Sequence, residues 1–139
     1  MENKSVITAH RNRTNRFDDL KKVVAAIQGE RPEALLIATV LIGVAGRFLN
    51  IPDQVHKVYR GREDEFDRDV RPLFQSLPTR GSAQTHLTAC DSVLLVPVHI
   101  DNVNPPELPR PNALGIDIDA DYDAFLERTC KAYTARWHI

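Results

Sequence analysis

Residues 34–46 read ALLIATVLIGVAG, the only long uncharged run in this chain of 139 residues. Glu33 and Arg47 close the run, and Thr39 is its one conventionally polar side chain. A membrane-spanning helix needs about 20 apolar residues, so this run is too short to span a membrane. An apolar run without a polar face is typical of a helix that is buried on most of its circumference. We therefore predict a buried central helix over residues 33–49.

Length and composition indicate a globular protein, with 42% hydrophobic and 27% charged residues. Lys and Arg number 18 against 19 Asp and Glu, which gives a net charge of −1. Proteins that bind nucleic acid over a broad face usually carry a basic excess, so such a face is disfavoured. The sequence shows no secretory signal. We expect a cytoplasmic protein that does not associate with membranes.

The first 16 residues are polar and lack apolar periodicity. Termini of this kind commonly lie outside the fold. We therefore expect residues 1–16 to be a flexible basic tail and residues 17–139 to be a single globular domain. As an alternative, this tail makes the chain a nucleic-acid adaptor, with Arg11 and Arg13 as candidate contact residues.

Among the segments with the periodicity of amphipathic helices, two lie at the ends of the predicted domain. The first runs from about Phe17 to Gln28. The second runs from about Asp121 to Trp137, with Asp119 or Asp121 as its N-cap. Its predicted stripe, which we expect to close the core, consists of Tyr122, Phe125, Leu126, Thr129, Tyr133 and Trp137.

Residues 92–100, SVLLVPVHI, are rich in β-branched side chains and predict a strand. Pro97 restricts this strand to a sheet edge or forces a bulge. A second short strand is expected from Leu114 to Ile118. The predicted class is α+β and mainly helical: a compact helical domain around the central helix, with one small β ribbon after residue 90. An all-α fold is the alternative.

Cys90 and Cys130 lie forty positions apart, without the close spacing of a zinc site. We expect both thiols to be reduced, and we predict neither a metal nor a cofactor. Motifs for phosphate loops, dinucleotide binding and nucleophile elbows are lacking in the sequence.

Arg80 and His86 are separated by five residues. This spacing resembles the Arg-x(4–6)-His motif of the HEPN family of small helical ribonucleases. The resemblance implies that the arginine steadies a phosphate and that the histidine assists proton transfer. A guanidinium suits phosphate, and a near-neutral imidazole can move protons. A metal-independent, HEPN-like ribonuclease is therefore one alternative function, with Arg80 and His86 as its catalytic residues.

Residues 106–109 read PELP and could present a polyproline II ridge to a partner. The candidate partner-binding residues in this segment are Pro106, Leu108, Pro109 and Arg110.

Balanced charge and the lack of a catalytic signature favour a non-catalytic function. We predict a small protein-binding module of the inhibitor, immunity or accessory type, which acts on another protein, and we leave enzymatic activity open. Gly43 and Gly46 share one face of the predicted central helix, so a homodimer formed at this face is a further alternative.

Overall fold

The computed structural model describes residues 2–6, 13–44, 66–77, 79–80, 89–101, 103–110, 115 and 117–137. The described residues form three strands, three α-helices and one π-helical segment. They are β1 (Glu2–Val6), α1 (Arg13–Glu30), β2 (Ile37–Gly43), the π-helical segment (Phe66–Val70), α2 (Arg71–Gln75), β3 (Ser92–Val98) and α3 (Ile118–Trp137). Helices hold more of these residues than strands do, and the predicted mainly helical α+β class is confirmed. The all-α alternative is wrong.

The three strands form one parallel sheet in the order β1-β2-β3. Glu2 is paired with Ala38 across β1 and β2, and Ile37 is paired with Ser92 across β2 and β3. A parallel pair needs a crossover connection, which α1 provides between β1 and β2. The described elements therefore begin with a β-α-β unit.

The prediction of a central helix over residues 33–49 is wrong, because its centre is the middle strand β2. Burial along β2 follows the two-residue period of a strand. Ala38, Val40 and Ile42 are buried on one face, whereas Leu41 on the other face is 41% exposed. Gly43 therefore lies in a strand, and the helix face proposed for it with Gly46 does not form.

Residues 2–6 are not outside the fold, which corrects the expected tail over residues 1–16. They form β1 and pair with β2 along their whole length. The first predicted helix is confirmed but longer, and it begins at Arg13. Arg13 thus lies in α1, and Arg11 lies outside the described residues.

The predicted strand at residues 92–100 is confirmed as β3, and it lies at an edge of the sheet as Pro97 requires. Its partner is β2, so it does not form the expected ribbon with residues 114–118. Ile118 instead begins α3.

The main core lies on one face of the sheet, where α1 and α2 pack together. Leu20 of α1 and Phe74 of α2 join Val40 of β2 in one buried cluster. The rings of Phe17 and Phe74 meet edge to face, with their centroids 5.9 Å apart. By the alternation of strand residues, Val93 and Leu95 of β3 face the same core.

Helix α3 covers the opposite face of β3. The Ser92 hydroxyl donates to the Phe125 carbonyl over 3.1 Å. The predicted core stripe of α3 is only partly correct, because Phe125 is buried but four other members are exposed by 40–48%: Tyr122, Leu126, Tyr133 and Trp137. The N-cap is Asp117 and neither of the two predicted residues, since its Oδ1 accepts from the Ala120 N–H over 3.0 Å.

Candidate functional site

A buried ion pair joins α3 to the amino-terminal ends of β2 and β3. The guanidinium of Arg136 donates to Oδ1 of Asp91, and these side chains are only 4% and 0% exposed. The other oxygen, Oδ2 of Asp91, accepts from the backbone N–H of Leu36 over 2.7 Å. The Asp91 N–H in turn donates to the Leu36 carbonyl over 2.7 Å. Asp91 therefore ties together both strands and the last turn of α3.

Arg80 and Gln28 extend this buried network toward α1. Nη2 of Arg80 donates to the Pro32 carbonyl over 2.6 Å, and Nε2 of Gln28 donates to the Ala89 carbonyl over 2.6 Å. Burial lowers the pKa of Arg80, the negative charge of Asp91 opposes that shift, and the positive charge of Arg136 adds to it. The contacts of these side chains are internal, and their role is to join the elements of the fold.

Of the predicted pair of Arg80 and His86, the structure describes only Arg80, because His86 lies outside the described residues. Arg80 is 8% exposed and binds a carbonyl of its own chain. A catalytic arginine must reach the phosphate of its substrate. The position of Arg80 therefore gives the ribonuclease hypothesis no support, and the geometry of the pair stays a prediction.

A groove of about 330 Å³ runs beside the outer edge of β3. Its apolar lining comes from α2, the short segment after that helix and β3; these residues are Phe74, Leu77, Val93, Leu94 and Leu95. Polar side chains surround this lining; they are Arg71, Gln75 and Thr79 on one side, and Asp121 and Arg128 of α3 on the other. The groove therefore combines an apolar floor with a charged rim, as protein-binding sites commonly do.

The backbone of β3 offers hydrogen-bonding groups to this groove. Asp91 directs its N–H toward β2, whereas the Cys90 carbonyl accepts from the Arg80 N–H on the outer side, over 3.0 Å. The chain bends at Asp91, and within β3 the Val98 carbonyl accepts from the Val44 N–H over 3.0 Å, so Val98 points toward β2. Because successive residues of a strand direct these groups to alternate sides, the N–H and C=O groups of Val93 and Leu95 point outward. Thr79 also pairs with Cys90 in a parallel bridge, which lies on this outer side just before β3 begins.

The predicted polyproline segment is only partly exposed. Pro106, Leu108 and Arg110 are exposed, but Pro109 is buried. The backbone of Glu107 forms two hydrogen bonds with His99, over 2.7 and 3.1 Å, which hold the segment against the end of β3. A continuous ridge that includes both prolines is therefore not presented, and partner binding by these residues stays a prediction.

The two cysteines lie in different environments and both are free thiols. Cys90 is 1% exposed, and burial, together with the negative charge of Asp91, raises its pKa to about 11. Cys130 is exposed on α3. Among the residues described, no group of three or more His, Cys, Asp or Glu side chains is placed to hold a metal ion.

No family model, no curated protein and no solved structure matches the chain. None of the helices within the described ranges has the length and apolar character that crossing a membrane requires.

The groove could not be predicted from the sequence, and the reason is physical. Its residues come from three separate segments, and their proximity depends on the order of strands in the sheet. One signal was present in the sequence: Pro97 marks β3 as an edge strand, and an unpaired edge is a known site for adding another strand.

Proposed function

We propose that the chain is a non-catalytic protein-binding module of the inhibitor, immunity or accessory type, and that it holds an extended segment of its partner in the groove beside β3. The observation that carries this proposal is the apolar groove along the outer backbone edge of β3. An extended peptide that adds to a sheet edge gains main-chain hydrogen bonds, while pockets select its side chains.

The floor of the groove favours an apolar side chain from the partner. Phe74 and Leu77 are buried below it, and Val93 and Leu95 are half-buried beside them. A side chain placed there would be removed from water on several sides, at a gain of about 25 cal/mol for each Å² of apolar surface buried.

The rim favours a partner segment with acidic residues. The described lining contains two arginines, Arg71 and Arg128, against one carboxylate, Asp121. Arg71 also interacts within the chain, so Arg128, which is exposed, is the better candidate to meet the partner. Charge complementarity of this kind sets specificity and the rate of association.

The thiols agree with a cytoplasmic location, which remains part of the proposal. Cys90 and Cys130 are both free in the structure. Reduced cysteines of this kind are usual in cytosolic proteins, whereas exported proteins commonly use theirs in disulfides.

Site-specific photocrosslinking in cells tests this function. A photoreactive amino acid replaces Gln75 or Thr79 on the rim in two separate variants, and Lys22, exposed on α1, in a control variant. We expect both rim positions to crosslink the same protein and the control position not to crosslink it. That protein is then purified, and its affinity for the chain is measured by calorimetry.

Two substitutions then locate the contact. Gln75→Trp should fill the groove and weaken binding at least tenfold, and Arg128→Glu should weaken it through charge reversal. Lys22→Trp and Lys22→Glu are the matched controls and should leave the affinity unchanged. Failure to crosslink a common protein from the two rim positions, or full affinity in Gln75→Trp, would overturn the proposal.

A further inference from the structure

We infer that the segment held in the groove beside β3 is a short β-strand of alternating character. Two apolar residues, two positions apart, face α2, and an acidic residue between them faces Arg128. This inference rests on the proposed function, because it names the class of segment that the same groove accepts. It adds a pattern of side chains and a pattern of main-chain hydrogen bonds, and either pattern can fail while the proposed function holds.

The outer backbone edge of β3 offers hydrogen bonds at every second residue. The Val98 carbonyl accepts from the Val44 N–H over 3.0 Å, so Val98 points toward β2. By alternation, Val93, Leu95 and Pro97 direct their main-chain groups outward. Among the described residues no strand pairs with this outer edge, because β3 is the last strand in the order β1-β2-β3. An added strand can therefore bond to Val93 and Leu95.

Pro97 sets one end of this ladder of hydrogen bonds. Proline has no N–H, so the edge offers only a carbonyl at Pro97, whereas Val93 and Leu95 each offer both groups. The missing N–H of Pro97 falls on the outer side, where it removes no hydrogen bond to β2. The complete part of the ladder is therefore short, and it fits a short segment better than a long strand.

The side chains of an added strand alternate between two different walls of the groove. Directly opposite residues of neighbouring strands point to the same face of a sheet. Val93 and Leu95 pair with Ala38 and Val40 of β2, which lie in the main core on the α2 side. The partner residues opposite Val93 and Leu95 therefore face α2. The partner residue between them, opposite Leu94, faces α3.

The α2 wall favours apolar side chains. Phe74 and Leu77 line it and are 0% and 4% exposed, and half-buried Val93 and Leu95 lie beside them. A charged side chain placed against these residues would lose its water without gaining a hydrogen-bond partner from them. Arg71, at the rim of this wall, already interacts within the chain. We therefore assign an apolar residue to each of the two partner positions that face α2.

The α3 wall favours an acidic side chain. Asp121 and Arg128 are the described residues of α3 that line the groove, and both are exposed. They are seven positions apart, roughly 10 Å along the helix, so one short side chain meets only one of them. The guanidinium of Arg128 can bind a carboxylate through two parallel hydrogen bonds. The described lining also contains more arginines than carboxylates, which favours an acidic residue over a basic one.

Synthetic peptides test the side-chain pattern without the natural partner. The probe is the acetylated and amidated peptide Ser-Thr-Val-Glu-Val-Thr-Ser. Its matched control, Ser-Thr-Glu-Val-Val-Thr-Ser, has the same composition without the alternation. Binding to the full-length chain is measured by calorimetry, and we expect the control peptide to bind at least tenfold more weakly than the probe.

A charge reversal tests the contact with Arg128. Arg128→Glu should weaken binding of the probe and strengthen binding of a peptide with Lys in place of its Glu. Arg110→Glu makes the same change of charge at an exposed arginine outside the described lining, and it should alter neither affinity. No binding of the probe at about 1 mM, equal binding of probe and control peptide, or an unchanged preference in Arg128→Glu would overturn the inference.

Amide hydrogen exchange, followed by NMR, tests the main-chain pattern. The amides of Leu94 and Val96 point toward β2, whereas those of Val93 and Leu95 face the groove. We expect saturating probe to slow exchange at least tenfold at Val93 and Leu95 and to leave Leu94 and Val96 unchanged. Unchanged exchange at Val93 and Leu95 would overturn strand addition.

The two proposals can fail separately. A common protein crosslinked from both rim positions, whose bound segment lacks the alternation, would overturn this inference and leave the proposed function intact. Crosslinking of no common protein would overturn the proposed function, whatever the peptides show.

Discussion

Two ion pairs on α3 have similar chemistry but opposite surroundings. Arg136 and Asp91 are 4% and 0% exposed, and the pair connects the last turn of α3 to both β2 and β3. Lys131 and Glu127, which precede Arg136 by five and nine residues, are 73% and 65% exposed, and their ion pair lies within one helix. One helix thus carries an anchor on one side and a solvated charge pair on another.

The difference shows which charges stabilise the fold and which are available for recognition. Removing one partner from a buried pair leaves the other charge without compensation, and this is costly. An exposed pair is screened by water and salt, so its loss changes stability little. The amino-terminal edge of the sheet is therefore a structural region, whereas the exposed flanks of α3 can take part in binding without a cost to the fold.

The largest expected effect comes from removing the buried carboxylate. Asp91→Ala leaves Arg136 buried without its partner and removes the acceptor for the Leu36 N–H. We expect the free energy of unfolding to fall by about 3–5 kcal/mol. Urea unfolding followed by circular dichroism measures this change. The double variant Asp91→Ala with Arg136→Met removes the stranded charge and should be more stable than the single variant; equal loss in both would contradict the explanation.

A smaller effect is expected from the buried thiol next to Asp91. The pKa of Cys90 is raised from 9.0 to about 11 in the folded chain. Between these pH values the unfolded chain loses a proton that the folded chain keeps. Stability from this group is therefore complete below pH 9 and falls as the pH rises toward 11, by roughly 1.4 kcal/mol per pH unit at most.

The comparison of the original chain with Cys90→Ala isolates this contribution. Other groups that titrate in alkali are common to both chains, so the difference in slope between pH 8 and pH 10.5 belongs to Cys90. We expect the substituted chain to lose less stability over this range. Parallel curves for the two chains would show that the thiol does not have a raised pKa.

The helices that flank the sheet could be predicted from the sequence, because their apolar residues repeat with the period of a helix. This period predicts both α1 and α3, but it also predicts that side chains of α3 such as Tyr133 lie in the core, whereas they are exposed. Periodicity shows that apolar residues share a face; it does not show whether that face meets the core or solvent.

Strand β2 could not be recognised in the same way. Its outer face carries Ile37 and Leu41, which are apolar although half-buried or exposed, so the two-residue alternation of the strand is hidden in one continuous apolar run. Periodicity alone does not separate such a run from a buried helix. Strand β1 could not be recognised for the opposite reason. It is a short edge strand that contains Glu2 and Lys4, so its sequence resembles that of a polar terminal tail.

The candidate groove and the network around Asp91 depend on long-range pairing that no local pattern encodes. Asp91 contacts Leu36 and Arg136, which are distant from it in the sequence. Only after β2 and β3 are placed side by side do these residues meet. Of the predicted site residues, the structure places Arg80 in this buried network, on the carbonyl of Pro32, and this contact was not visible from its spacing to His86.

The smallest expected effect comes from the exposed pair, and it completes the contrast with Asp91. Glu127→Ala removes the partner of Lys131, but both side chains are largely hydrated, so we expect the urea midpoint to stay within experimental error. The measurement compares the urea midpoint of Glu127→Ala with that of the original chain under the same conditions. A marked loss of stability there would show that Glu127 supports the fold itself. An unchanged midpoint would show that the exposed pair, unlike the pair of Asp91 and Arg136, is not needed for the fold.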